Sequence, residues 1–240
     1  MLAIAIVGCG GNASQPPGGD GGSPPPPQDG GGDDVDAAAP ATPDAGDPTV
    51  TDLLALLEHC DVVGGRYSTD FENSASIDVC GLHGAVFWKS DFDIDCDGKR
   101  TTVCNEQTDG AYQPRTSARD SNGEFLDASQ LPYAVIPLPS SRWSYEDADI
   151  YLGTVVAVIY QGKLQYAVFG DQGPDRIIGE GSYKLAQLLG IDPDPSNGGT
   201  DGPVYFIAFT GANARVHKME DQGEAVQIGQ AKTHELLANN

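Results

Sequence analysis

Tyr151-Leu-Gly-Thr-Val155-Val-Ala-Val-Ile-Tyr160-Gln-Gly162-Lys-Leu-Gln-Tyr166-Ala-Val-Phe169-Gly170-Asp171 is the stretch that decides the fold of this 240-residue chain. Its first half is a continuous apolar run, short and rich in β-branched residues, which predicts a buried strand rather than a helix. Gln161-Gly162-Lys163 reads as a turn and Leu164–Phe169 as the returning strand, a hairpin that delivers Asp171 to its end. Working outward, Val204-Tyr-Phe-Ile-Ala-Phe209 is another buried strand, following a Gly/Pro/Asp loop over 190–203. Leu131-Pro-Tyr133-Ala-Val-Ile136-Pro137 is a short strand trapped between prolines, expected at a sheet edge. Helices are few. Thr51–His59 has a Thr cap and leucines on one side, with His59 as a solvated end residue. Ser182 caps a short helix with Leu185, Leu188 and Leu189 on its apolar face and Gly190 as its stop. Residues 60–80 are polar and turn-rich, and the tail from about Glu220 shows only helical patches. Many short strands, frequent glycine and one or two short helices predict a mainly β domain, a single closed or partly closed β-barrel.

The chain divides by composition. Residues 1–9 are apolar and end in Ile6-Val7-Gly8-Cys9, which resembles a bacterial lipobox with Cys9 as the acylated residue. The segment is too short to span a bilayer and lacks a basic start, so it reads as a truncated signal whose beginning lies upstream. Residues 10–48, rich in Gly, Pro and Asp, cannot bury enough apolar surface to offset ordering entropy and read as a disordered tether. Residues 49–240 have the texture of one globular domain.

The net charge of −22 splits into −7 for residues 1–50, which hold seven Asp and no Lys or Arg, and −15 for the remainder. Such a surface is a poor partner for nucleic acid or anionic lipid and suits a cationic substrate. Membrane association is expected only through a lipid anchor. Cys60, Cys80, Cys96 and Cys104 form no CxxC pair, so two disulfides are expected rather than a zinc site. Three connectivities are possible, the local pairs Cys60–Cys80 and Cys96–Cys104 being preferred. No P-loop, dinucleotide fingerprint, GxSxG elbow or HExxH pair is present, and no cofactor is expected.

Two groups of carboxylates carry the chemistry. Asp171 follows Gly170 at the hairpin end, and Glu180 sits between Gly179 and Gly181. Taken alone these are a turn residue and a complement to a helix start, yet two facing carboxylates also suffice for glycoside hydrolysis. Asp91, Asp93, Asp95 and Asp97 alternate with Phe92, Ile94 and Cys96, placing the four acids on one strand face, a strip suited to gripping a polycation. Asp93-x-Asp95-x-Asp97-Gly98 also matches the opening of a calcium loop, but its twelfth position is Cys104 rather than Glu, so no metal is assigned.

Phe87–Asn105, Leu131–Pro137 and Val155–Gly190, continuing through Ile191-Asp-Pro-Asp-Pro195 and Gly198-Gly199, together resemble the chitosanases of glycoside hydrolase family 75. The most specific part is Gly170-Asp171-x-Gly-Pro174 … Ile178-Gly179-Glu180. The family commonly has Glu-Ala-Ser where this chain has Glu180-Gly181-Ser182, a swap expected to give freedom beside the acid. The resemblance implies endo-hydrolysis of β-1,4-linked glucosamine in chitosan with inversion, Asp171 and Glu180 being the essential pair. Glu180 is assigned as general acid and Asp171 as general base, an order that the sequence leaves reversible, and the Asp91–Asp97 strip is read as pairing with substrate amino groups. A double-psi barrel is expected by analogy with other glycan-cleaving barrels. The expected enzyme is monomeric and extracellular or at the outer cell surface, lipid-anchored through Cys9. The alternatives are a surface lectin for cationic amino-sugar polymers, or a glycosidase for another such polymer.

Overall fold

The computed structural model describes residues 50–240, so the signal expected over residues 1–9, with Cys9, and the tether expected over 10–48 lie outside the described residues. Helix α1 (Val50–Leu56) leads into strands β1 (Asp61–Val62), β2 (Val79–Leu82) and β3 (Ala85–Asp95). β4 (Tyr133–Pro137), β5 (Val155–Tyr160), β6 (Lys163–Gly173) and β7 (Glu180–Ser182) follow, then α2 (Tyr183–Leu189), β8 (Thr200–Phe209) and α3 (Gln222–Asn239). The strands run in the order β1-β2-β3-β7-β4-β6-β5-β8, and β3 also pairs with β8. That last pairing closes six strands, β3 through β8, into a barrel, with β1 and β2 outside the ring.

The hairpin of β5 and β6 is as its sequence predicts, running from Val155 opposite Val168 to Tyr160 opposite Lys163. Gln161 and Gly162 both take positive φ, the two-residue turn that matches the twist of paired strands. Period-two alternation then divides the barrel wall. Val156, Val158, Ala167, Phe169, Phe206, Trp88 and Phe92 belong to one apolar cluster, where Trp88, Phe206 and Phe92 stack in sequence. Val155, Ala157, Ile159, Val168, Ile207 and Phe87 belong to the other, with residues of α1 and α3.

Several expectations are corrected. β4 is no edge strand: it lies between β7 and β6 and is buried throughout. Pro132 precedes it and Pro137 is its last residue, so neither interrupts the hydrogen-bond ladder. In α2 the Ser182 cap accepts from the Leu185 N–H and Gly190 stops the helix, as expected, but Leu188 is exposed and Ala186 takes its place in the core. A third helix, α3, occupies the tail, capped by Asp221. Its buried face is Ala225, Gly229, Thr233 and Leu236, so small that hydrophobic periodicity barely registers it. A Cβ on Gly229 would stand 2.2 Å from the Tyr166 ring, which is how closely this helix approaches β6. Both local disulfides, Cys60–Cys80 and Cys96–Cys104, are formed.

Candidate active site

The site is built on four neighbouring strands, β3, β7, β4 and β6, on the face turned away from the Trp88–Phe206–Phe92 stack. Along β3 the side occupied by Ala85 and Phe87 continues as Lys89, Asp91, Asp93 and Asp95, while Trp88 and Phe92 face the other way. β7 runs parallel to β3 with Glu180 beside Asp93 and Gly181 beside Ile94. Glu180 therefore shares the Asp93 face. Gly181 turns toward Phe92, whose ring would lie 2.6 Å from a Cβ placed there. The glycine gives close approach to an aromatic ring rather than the freedom that the sequence suggests.

Asp171 reaches the same face through an irregularity. Ala134 pairs with Phe169 and Val135 with Asp171, so Gly170 is an extra residue in β6. Without it, the alternation that buries Phe169 would point Asp171 into the same apolar cluster. With it, Asp171 stands beside Val135 at the cleft.

The cleft has a volume of about 560 Å³, and its lining includes Asp93, Asp95, Asp97, Asp171, Glu180 and Asp109, with Phe71, Leu138, Ile177 and Pro174. Asp171 and Glu180, nine residues apart in sequence, thus face one space. Three of the four strip acids join them. Asp91 does not line the cleft; its carboxylate accepts from Ser90 Oγ at 2.6 Å, beside Gly179. A larger cavity of about 710 Å³, lined by residues including Arg142, Trp143 and Thr210, shares no residue with this cleft.

Electrostatics separate the two central acids. Burial pushes Glu180 up to about 8, reinforced by the charges of Asp93, Asp171, Asp97 and Asp91. Its Oε2 lies where a side chain on Gly173 would begin, 2.5 Å from a Cβ built there. Asp171, only 6% exposed, is also raised by burial. Three donors oppose that rise by holding its ionised form: Ser117 Oγ at 2.6 Å, Ser117 N at 2.8 Å and Gln172 N at 2.7 Å, all on Oδ1. Asp93 rises to about 7 through burial and the charges of Asp91, Asp70 and Asp201. Asp97 rises to about 7 through burial and the charges of Asp171 and Asp109, against a hydrogen bond from Gln113 N. Asp95 is held well above the carboxylate range by burial, then by Asp171 and Asp97.

Ser117 escapes sequence reading because it lies on an irregular segment between Cys104 and β4, tied to β6 by its own bonds with Asp171 and Gln172 and by Ala118 N donating to the Gly170 carbonyl. Tyr133, buried beneath the acids with its hydroxyl donating to the Asp97 carbonyl at 3.1 Å, reads in sequence only as a strand residue. The calcium-loop opening is not realised, since Asp93 and Asp95 lie within β3 and Cys104 is in a disulfide. Among the described residues, one oxygen each of Asp95, Asp97 and Asp171 lie within 4.8 Å of one another, the arrangement that could hold a cation.

Comparison with known proteins gives the chain's family. The family model described as fungal chitosanase of glycosyl hydrolase group 75 matches residues 92–235, which include Asp93, Asp95, Asp97, Asp171 and Glu180. The endo-chitosanase B of Aspergillus oryzae is 29% identical over 169 residues, covering 63% of this chain and 70% of that protein. The endo-chitosanase of Aspergillus fumigatus is 30% identical over 164 residues, 62% of this chain and 69% of its own length. The endo-chitosanase C of Aspergillus oryzae is 33% identical over 141 residues, 55% of this chain and 33% of its own. With a closed β-barrel, a carboxylate-lined cleft and a family match over more than half its length, this chain is a glycoside hydrolase belonging to glycosyl hydrolase group 75, the fungal chitosanase family.

Proposed function

We propose that this protein is an endo-chitosanase that hydrolyses β-1,4 linkages between glucosamine units with inversion, Glu180 acting as general acid and Asp171 as general base. The observation that carries the reading is the contrast between two acids facing one cleft. Glu180 is buried among carboxylates and pushed to about 8, so it holds a proton at neutral pH. Asp171 receives three hydrogen bonds that favour its ionised form. A carboxyl that keeps its proton beside one whose hydrogen bonds favour ionisation is the pairing that glycoside hydrolysis uses, and inversion is what the resemblance to family 75 chitosanases implies. In the reaction Glu180 gives its proton to the glycosidic oxygen as the C1–O bond breaks. Asp171 takes a proton from water as that water's oxygen bonds C1 from the opposite side. Solvent exchange then returns the proton to Glu180 and removes it from Asp171.

The substrate's amino groups are cationic, and Asp93, Asp95 and Asp97 line the cleft that receives them, with Asp91 adding to the field behind Asp93. Two disulfides suit an oxidising compartment, so the enzyme works outside the cytosol. In this reading residues 49–240 form the catalytic domain of a monomer, tethered by residues 10–48 to a lipid on Cys9. Loss of radiolabelled fatty-acid incorporation in Cys9→Ser tests that anchor.

The central test compares chitosan cleavage by wild type, Asp171→Asn and Glu180→Gln, with detection of the fresh product's anomer. Each variant is expected to lose about 10²- to 10⁴-fold in kcat, and wild type to release the α-anomer first. Wild-type turnover in both variants sinks the site, and a β-anomer sinks inversion. A wild-type protein that retains chitosan without shortening it is a lectin.

A further inference from the structure

The mouth of the cleft carries an aromatic ring that neither the core nor the acid–base pair uses. Phe71 lines the cleft yet is 62% exposed. Leaving so large an apolar side chain in water forgoes its burial energy, and elsewhere in this domain Phe87, Phe92, Phe169, Phe206 and Phe209 are all buried.

The ring is also held in place. Asn73 Nδ2 donates to Thr69 Oγ1 and to Asp70 Oδ2, both at 2.8 Å, and Asn73 N donates to the Asp70 carbonyl, closing a turn around Phe71. This turn is stitched to the segment between the two central acids. Ser68 N donates to the Arg176 carbonyl at 2.9 Å, and Ile178 N donates to the Ser68 carbonyl at 3.1 Å. The Arg176 guanidinium lies 5.6 Å from the centre of the Phe71 ring. The backbone that places Glu180 thus also places Phe71, and Ile177, bridged to Ser68, lines the same cleft.

Carboxylates recognise the amino groups of a glucosamine chain, but they cannot grip the apolar face that each pyranose ring presents through its axial C–H groups. A fixed, exposed aromatic ring beside them can. Resting on the chitosanase reading, we infer that Phe71 is the stacking platform for one sugar ring of the substrate, at the end of the cleft nearer Asp70 and Ile177. It supplies the salt-independent share of binding, complementary to the salt-sensitive contacts of the acids.

The test measures glucosamine-hexamer binding by calorimetry in Glu180→Gln protein, which prevents cleavage, with and without Phe71→Ala or Phe71→Trp. Thermal melts confirm folding. Phe71→Ala is expected to weaken binding about three- to tenfold, and Phe71→Trp to stay within about twofold of the Glu180→Gln parent. Raising salt weakens every protein but should leave the Ala-to-parent ratio unchanged, because screening acts on charge and not on stacking. Parent-like affinity in Phe71→Ala, equal losses in Ala and Trp, or a ratio that collapses at high salt (an effect transmitted through Arg176) each overturn the platform and leave the chitosanase reading standing. A parent that binds no hexamer, with a wild type that does not cleave chitosan, overturns that reading and the platform with it.

Discussion

Gly173→Ala tests the placement of the acid without altering its chemistry. Gly173 ends β6, and its Cα faces the Glu180 carboxyl across the cleft floor. An alanine methyl would begin 2.5 Å from Glu180 Oε2 and 3.0 Å from Val135 Cγ1, whereas ordinary contact starts near 3.4 Å. The carboxylate end is the mobile partner, so it retreats by about 0.9 Å while Val135 gives by a few tenths. A displacement near 1 Å at a reacting group costs on the order of a hundredfold in rate, about 2.7 kcal/mol of barrier. The overpacking against Val135 costs stability only about 1 kcal/mol, a fall in Tm of roughly 2–4 °C for a domain of this size. The assay is kcat for reducing-end release from chitosan, set beside a thermal melt. A variant that melts like wild type and turns over within threefold of it refutes the reasoning, since the position of the Glu180 carboxyl would then not matter. A collapse of Tm by tens of degrees refutes it as well, because the damage would be to the barrel.

Other consequences follow from the same charges and bonds. Glu180 must keep its proton to act as acid, so kcat/KM should fall as pH rises through about 8. Ser117→Ala removes a donor that favours ionised Asp171, so the acid limb of that profile should move to higher pH while the alkaline limb stays in place. Asp93, raised to about 7, binds its proton more tightly folded than unfolded; its stabilising contribution is complete below the unfolded carboxylate range and lost as pH rises through about 7. Asp93→Asn should therefore raise Tm by a few degrees at pH 8 and leave it unchanged at pH 4, by calorimetry. With Asp93 and Asp97 both near 7, a cationic glucosamine oligomer should displace up to about one proton on binding at pH 7, read by calorimetry in buffers of differing ionisation enthalpy. The two disulfides should separate stability from activity. Opening the 20-residue Cys60–Cys80 loop costs about 3.3 kcal/mol and the 8-residue Cys96–Cys104 loop about 2.5 kcal/mol by chain entropy. Paired Ser substitutions at 96 and 104, beside Asp95 and Asp97, should nevertheless harm activity more.

What the sequence revealed and what it hid divide along the range of the interactions. The β5–β6 hairpin, the Ser182 cap and the Gly190 stop are local, set by alternation, turn geometry and one side-chain bond, and they are legible residue by residue. The centrality of β4 was not, because two flanking prolines look like edge signals until it is known that they fall at the strand's limits. α3 was hidden by its own packing, since a helix that approaches a tyrosine ring through glycine and threonine has no apolar stripe to read. Within the site, the alternation of Asp91–Asp97 predicts four acids on one strand face; the structure ends β3 at Asp95, brings Asp93, Asp95 and Asp97 to the cleft, and leaves Asp91 at the Ser90–Gly179 contact. Ser117, whose donors approach Asp171 from 54 residues away, carries no local signal at all.

The arrangement is costly by design of its function. Six carboxyl groups line a cleft of about 560 Å³, and the structure holds no ion pair between them and a Lys or Arg among the described residues. A globular domain can bear such repulsion in two ways: by retaining protons, and by fixing the backbone so that the acids cannot move apart. Raised carboxyls at Asp93, Asp95, Asp97 and Glu180 are the first device. The closed ring of strands, with Cys96–Cys104 clamping the end of β3, is the second. An arginine in the cleft would relieve the strain and stabilise the fold, but it would also occupy the place of a substrate amine and lower Glu180 toward ordinary ionisation. On the proposed mechanism, the absence of cationic partners among the described residues serves both halves of the reaction. It keeps a proton on the acid, and it reserves the cleft's negative potential for a chain that brings its own positive charge.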